Sequence, residues 1–298
     1  MVKIEPVTFG ANLEACAEHA VLRRLWPLAT WWTILRISLE ERLVYRGDFA
    51  LGTLMRFLPL VTQVFLWGAI FDAVGEVTGK STVAGYSYGE MVAYYLLTQI
   101  SRAFSSMPGL ASGIALQIRN GEIKKFLIQP VDLVGFLLLG RVAHKLVYYV
   151  VAAGPFALVF FLCRGFFSGW PEPTVLLAFI ASLVMSFLLG FFLEATLGML
   201  GFWFLEVSSL LFVYMLFSFF FSGHMFPIDM LPGIWATLVR STPLQYLAYF
   251  PAAVFLGKIQ GADLAWGLLA QFGWVLFFIA ASRLTFYLGV KRYSGFGG

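Results

Sequence analysis

Between Thr174 and Phe221 the chain carries only Glu194 and Glu206 as charged residues. As one helix this run would extend ~72 Å at 1.5 Å per residue. The hydrocarbon layer of a bilayer is ~30 Å thick, so the run is long enough to cross twice and must fold back. Gly198 to Trp203 is the natural place for the turn.

The rest of the chain obeys the same constraint. Of 298 residues, 60% are hydrophobic and 12% charged, with a mean hydropathy of +0.84, whereas about a quarter of a soluble domain is charged. Whole segments of about 20 residues lack any charge, and soluble domains do not do this. The reading is an all-α, polytopic membrane protein with six transmembrane helices. The spans are about Phe49 to Phe71, Glu90 to Met107, Gly140 to Leu162, the two halves of the long run, and about Leu264 to Leu284. Arg56 lies near the inner end of the first, and Pro59 offers a kink there.

Ahead of the spans, Trp26, Trp31 and Trp32 precede "RISLEERLVYR". Its density of charge rules out a spanning helix and suits an interfacial one at the inner surface. Trp32, Leu35, Leu39 and Leu43 share one face, with Ile34 and Ile37 on the other. Residues 1–48 are read as a cytoplasmic arm ending in this helix, within a single transmembrane domain, 1–298. Glu5, Glu14 and Glu18, with no basic head or short apolar core, give no cleavable signal. Cys16 and Cys163 lie too far apart in sequence to imply a disulfide framework or a metal site.

Charge sets the orientation. With the N-terminus inside, eleven of the twenty Lys and Arg fall in cytoplasmic segments and five at inner span ends (Arg56, Arg102, Arg141, Lys145, Arg283). Only Lys80, Arg164, Arg240 and Lys258 lie outside, as the positive-inside rule requires. Both termini are then cytoplasmic, in a bacterial-type inner (plasma) membrane. Basic residues spread in this way determine topology and exclude a nucleic-acid partner.

"AVGEVTGKSTVAG", Ala73 to Gly85, approaches a phosphate-binding loop but fails it. The pattern needs a glycine at Val74, and Gly75 leaves one residue too few. The stretch lies outside, with no preceding strand, and reads as a short polar turn around Gly75, Gly79 and Gly85.

Three segments carry functional signals. Inside, "IRNGEIKKFLIQPVD" (Ile118 to Asp132) has a turn at Asn120-Gly121 and a short helix over Glu122 to Ile128. Ile123, Phe126 and Leu127 take one side of that helix, Lys124 and Lys125 another, and Pro130 stops it. It is either a docking element or a basic loop that merely obeys the charge rule. Outside, "SGHMFPIDMLPGIWATLVRSTPLQYL" (Ser222 to Leu247) is too apolar for a free loop, and Pro227, Pro232 and Pro243 break it too often for a span. Short re-entrant helices fit it. In the second span Glu90, Tyr94, Thr98, Ser101 and Ser105 form a polar stripe on one helix face, flanked by Gln99 and Arg102. Such a stripe faces a partner, a cavity, a substrate path or simply another helix. In the fifth span Ser208, Leu211, Met215, Ser218 and Ser222 share a face.

The order "SGHMFPIDMLPG…TPLQYL", with Phe226, Pro227, Leu231, Pro232 and Pro243, resembles the outer segment of permease subunits of type-two ABC exporters, which move drugs, polysaccharides and lipids. "FWFLE" at Phe202 to Glu206 and the inner segment resemble them too. The resemblance implies a dimer of permeases, of one kind or two, each over a separate ATPase subunit that binds the ATP and Mg. This chain would bind no cofactor and would not be an enzyme. It further implies ATPase contact through 108–132, at Arg119, Asn120, Gly121, Glu122, Lys124, Lys125, Phe126 and Gln129. A path along the second and fifth spans, at Tyr94, Thr98, Ser101, Ser105, Met215 and Ser218, would carry an apolar or amphipathic cargo outward by alternating access, with membrane lipid around it. The outer segment, 222–262, would be re-entrant.

Several smaller readings complete the set. Glu194 and Glu206 read most simply as interfacial acids near the inner turn, the alternative being that they neutralise a buried cation or report on a proton; His224 reads as a solvent-facing loop residue, and Arg141 and Lys145 as cations snorkelling to inner head groups. A secondary transporter or channel is the alternative, but no inverted repeat or paired broken helices appear. A membrane-embedded enzyme is the lesser alternative: His-Glu-x-x-His does not occur, and Gly85-Tyr86-Ser87-Tyr88-Gly89 matches Gly-x-Ser-x-Gly in letters only, in the polar stretch just before the second span.

Overall fold

A computed structural model of the chain describes residues 29–41, 55, 57–129, 131–167, 169–204 and 206–293. The arm before residue 29, residues 42–54 with Leu43 and Arg46, Arg56 and Pro130 lie outside the described residues. Residues 29–41 are helical (α1). Then come α2 (Leu58–Thr78), a hairpin of β1 (Thr82–Val83) and β2 (Tyr86–Ser87), α3 (Tyr88–Ser105), α4 (Leu110–Arg119), α5 (Lys124–Ile128) and α6 (Leu133–Leu162). They are followed by α7 (Pro173–Met199), α8 (Ser208–Phe221), α9 (Gly233–Arg240), α10 (Tyr249–Phe255) and α11 (Gly261–Arg292).

Among the described residues four helices are long and apolar enough to cross a bilayer: α2, α6, α7 continued through Phe202, and α11. The two further spans read from the sequence fall short for different reasons. α3 is diluted by its polar stripe, and α8 has 14 residues, ~21 Å of helix. The fold-back falls where expected. α7 ends at Met199, a 3-10 turn covers Leu200–Phe202, and α8 starts at Ser208.

Local chemistry sets the boundaries. Ser87 and Glu90 form a reciprocal capping box at the start of α3, and Asp132 caps α6 by accepting from the Gly135 N–H at 2.7 Å. α2 ends on Gly79 in the left-handed region (φ 65°), its N–H bonded to the Gly75 carbonyl at 2.9 Å. The short polar turn expected here is therefore a helix end followed by a hairpin. Gly75 belongs to α2, and Thr82 pairs with Ser87 and Val83 with Tyr86.

α7 is the spine shared by two cores. Toward one end it packs with α3, α10 and the 3-10 turn Pro243–Leu247, burying Met91, Leu96, Leu189, Tyr246 and Phe250. Toward the other it packs with α4 and the end of α11, burying Met107, Ile114, Ile123, Phe191, Met199 and Phe202. Contact there is backbone to backbone. A Cβ at Gly190 would lie 2.1 Å from the Ser105 carbonyl oxygen, and one at Gly198 would lie 2.6 Å from that of Ala111.

α3 and α4 are separated by a break over residues 106–109, with Pro108 within it and Gly109 left-handed. The break frees carbonyls that a buried chain must satisfy. Lys145 of α6, itself buried, donates to the carbonyls of Ala103 and of Ser106, the latter at 2.7 Å. Arg141 donates to Pro108 at 2.9 Å, and Tyr149 to Ala103 at 3.1 Å. The expectation that Arg141 and Lys145 snorkel to head groups is thus corrected, because the broken helix offers them nearer acceptors.

α1 also differs in detail from its expected pattern. Its half-buried face is Thr30, Trp31, Ile34, Leu35, Ser38 and Leu39, while Trp32 is 67% exposed. Trp31 fixes that choice, since its ring sits against Gly135 at the start of α6, 2.9 Å from where a Cβ would be.

Candidate functional site

The inner corner is built by α4, α5 and the α7–α8 turn. α4 ends on Asn120, Gly121 turns the chain with φ 75°, and five-residue α5 follows, with Gln129 extended after it. Ile123 is fully buried and Phe126 half-buried, its ring 5.2 Å from that of Phe136. These two residues hold α5 against the core. The other residues read as contacts, Arg119, Asn120, Glu122, Lys124, Lys125 and Gln129, are all exposed. Ile128 is 82% exposed beside Leu127, which gives the corner an apolar tip between basic side chains. Lys125 pairs with Glu122 at 3.5 Å and lies 5.4 Å from the centre of the Phe126 ring.

Arg119 donates to Glu206 at 3.1 Å. This contact joins two segments far apart in sequence, "IRNGEIKKFLIQPVD" and "FWFLE". Glu206 also accepts from the hydroxyl and the N–H of Ser208 at the start of α8. The Ser208 hydroxyl first, then its N–H and the Arg119 guanidinium, hold the Glu206 carboxyl below the usual carboxylate range. The only sequence signal for such a pair was scarcity: in a chain so poor in charge, an acid on the same side as a base is a candidate partner.

The residues read as a substrate path do not share one surface. Tyr94, Thr98, Ser101 and Ser105 are all buried. Thr98 bonds the Tyr95 carbonyl at 2.9 Å and Ser101 that of Leu97 at 3.0 Å, so both hydroxyls are satisfied by their own helix. Tyr94 donates to the Gly223 carbonyl, and Tyr95 to that of Met225 at 2.6 Å. α3 thereby holds the turn that follows α8. On α8, Ser218 is buried but Met215 is 55% exposed, among Phe212, Leu216, Phe219 and Phe220. The inward face is Leu211, Tyr214, Ser218 and Phe221, so Met215 departs from the stripe expected for it.

Beside the inner end of α3, Glu194 lies near the Met107 N–H and in the field of Arg141, Arg102 and Lys145. Tyr214 of α8 is an electrostatic neighbour of both Glu194 and Arg102. Glu194 is therefore part of an acid–base cluster joining α3, α6, α7 and α8, which favours the reading of an acid that neutralises nearby cations over that of a simple interfacial acid.

The outer segment is organised by Asp229. Its carboxylate accepts from Tyr86 at 2.8 Å, Tyr249 at 2.7 Å and Arg240 at 2.6 Å. Pro227 precedes the 3-10 turn that carries Asp229, with Phe226 half-buried before it. Leu231 follows half-buried, Pro232 caps α9, and Pro243 opens the next turn. α10 is buried from Tyr249 to Val254. The Tyr246 carbonyl just before it accepts from Ser186 of α7 at 2.6 Å, in a network with Ser182 and Gln271 of α11. His224 is corrected: half-buried, its ring 5.4 Å from that of Phe219, it is no solvent-facing loop residue. Lys258 links the same end to Glu90 at 2.7 Å and to the Gly85 carbonyl at 2.9 Å.

The family described as ABC-2 family transporter protein matches residues 57–297, from just before α2 to beyond α11. The chain belongs to the ABC-2 transporter family. It is an integral membrane permease, a transport subunit of the kind that works with an ABC ATPase and is not itself an enzyme. In this permease the matched region contains the whole inner corner and the whole outer segment. No curated protein matches the chain.

Proposed function

We propose that this permease is the membrane half of an ATP-driven exporter, coupled at its inner corner to a separate ATPase subunit that binds the ATP and Mg. The observation that carries this reading is the seating of α5. Buried Ile123 and half-buried Phe126 anchor it, Lys124, Lys125 and Ile128 project from it, and Arg119–Glu206 ties the end of α4, just before it, to the base of α8. A push on α5 then reaches α4, α7 and α8 together.

In this reading α3 and α8 complete six crossings, both termini are cytoplasmic in a bacterial-type inner membrane, and the outer segment re-enters the outer leaflet. Two permeases, identical or related, meet with the exposed apolar face of α8 at the dimer axis. The cargo is apolar or amphipathic and moves outward by alternating access. Met215 offers itself to the path directly, whereas Tyr94, Thr98, Ser101 and Ser105 join it when α3 parts from α7.

The test is the double variant Lys124→Glu, Lys125→Glu, co-expressed with the ATPase. The permease should fold and insert normally but lose co-purification of the ATPase and permease-dependent ATP turnover. Unchanged association and turnover would sink the proposal.

A further inference from the structure

A cavity of about 670 Å³ opens between α3, α6, the outer part of α7 and the loop that follows α6. Its floor is small and its walls are aromatic. Ala152, Ala153 and Ala157 of α6, with Ala103 of α3, recede between Phe104, Tyr149, Phe156 and Phe160. Phe179 and Phe255, ring centres 5.1 Å apart, close the side toward α7. The α3 residues that line it, Leu97, Ile100, Ala103 and Phe104, lie on a different face from Tyr94, Thr98, Ser101 and Ser105, so the cavity is separate from the proposed path.

Two further features indicate what the cavity holds. From Tyr149 to Phe160 the groove follows α6 for ~16 Å, about half of the ~30 Å hydrocarbon layer and so the depth of one leaflet. At the end beyond Phe160 stands Arg164, the one charged lining residue, its guanidinium 4.6 Å from the centre of the Phe161 ring. None of the ion pairs among the described residues uses Arg164. Beside it Trp170 is 87% exposed, as an aromatic at head-group level would be.

We propose that this groove binds one phospholipid of net negative charge from the outer leaflet, with an acyl chain along the alanine floor and its headgroup phosphate, free of a neighbouring cationic group, on Arg164. The inference rests on the outward placement of Arg164 in the proposed topology. Ala153 and Ala157 are exposed on the open side, so the entrance faces the bilayer. The single charge stands at one end of an otherwise apolar, aromatic lining, the head-and-tail order of a phospholipid, and an extended peptide would find almost no polar partners for its backbone there.

The permease, purified with its ATPase and stripped of lipid in detergent, is returned to nanodiscs of phosphatidylcholine containing a minor share of phosphatidylglycerol. Native mass spectrometry then counts the lipids that each permease retains. One phosphatidylglycerol per permease is the expected result. Arg164→Gln lowers its retention about fivefold, and Ala157→Trp, which fills the groove, abolishes it. Ala153→Leu serves in the same way if Ala157→Trp does not fold. Equal retention of both lipids by the unaltered permease, or undiminished retention in the filled variant, overturns the proposal. Labelling of Arg164→Cys by an impermeant maleimide separates the two readings: protection from outside reagent refutes the topology, while accessibility with no lipid retained refutes the site alone.

Discussion

At the scale of single residues, the permease depends on side chains that are missing as much as on those present. Gly190 lets α7 touch the backbone of α3 at Ser105, and an added Cβ would meet a carbonyl that no rotamer change can move. Gly190→Ala should therefore lower stability by about 1–3 kcal/mol, read as a fall in the thermal midpoint in detergent. Gly140→Ala, where a Cβ meets nothing, should leave it unchanged or raise it slightly. Lys145 makes the complementary point, because it is buried and its ammonium serves the carbonyls of Ala103 and Ser106. Lys145→Met keeps the packing volume but takes this donor from the Ser106 carbonyl and leaves that of Ala103 to Tyr149 alone, which should cost about 1–3 kcal/mol in the same melting assay. Neither residue was legible in the sequence. A glycine inside an apolar run says nothing of what faces it, and a basic residue near a span end looks the same whether it reaches for a head group or for a broken helix.

At the scale of elements, the sequence was most readable where one dominant force sets the outcome. Hydropathy located both ends of α7, the end of α6 at Leu162 and the turn at Leu200–Phe202, whereas α6 starts at Leu133, a turn and more before Gly140, where Asp132 caps it; the turn signal at Asn120-Gly121 located the approach to α5. It was least readable where an element's orientation depends on a partner remote in sequence. Trp31 against Gly135 decided which face of α1 is inward, and uniformly apolar α8 carried no pattern strong enough to place Met215. α5 separates the two kinds of information within five residues. Ile128 contacts little of its own chain, so Ile128→Ala should change stability by less than about 0.5 kcal/mol while weakening co-purification of the ATPase. Phe126→Ala removes the contact with Phe136 and should destabilise the corner by about 1–2 kcal/mol, visible as faster proteolysis between α4 and α6. If both variants bind the ATPase as well as the unaltered permease does, α5 is not the docking element.

At the scale of the whole molecule, the long-range ion pairs test which segments share a side of the membrane, whichever side is cytoplasmic. Each of them joins segments assigned to one side: Arg119 to Glu206 and Arg283 to Asp132 inside, Lys258 to Glu90 and Arg240 to Asp229 outside. A wrong assignment of any one crossing would have put some of these partners a membrane apart, so their agreement constrains α3 and α8 even though neither meets the length and hydropathy of a span. The segregation leads to a labelling prediction. With Cys16 and Cys163 replaced by Ser and Ala, Lys80→Cys before the hairpin and Asp263→Cys at the start of α11 should react with an impermeant maleimide on intact cells. Glu122→Cys before α5 and Lys291→Cys at the end of α11 should react only after permeabilisation. Because Lys80 and Glu122 are separated only by α3 and α4, labelling of both from outside would mean that α3 does not cross. The charge rule, the pairing of Lys258 with Glu90 and the six-crossing arrangement would then have to be given up together.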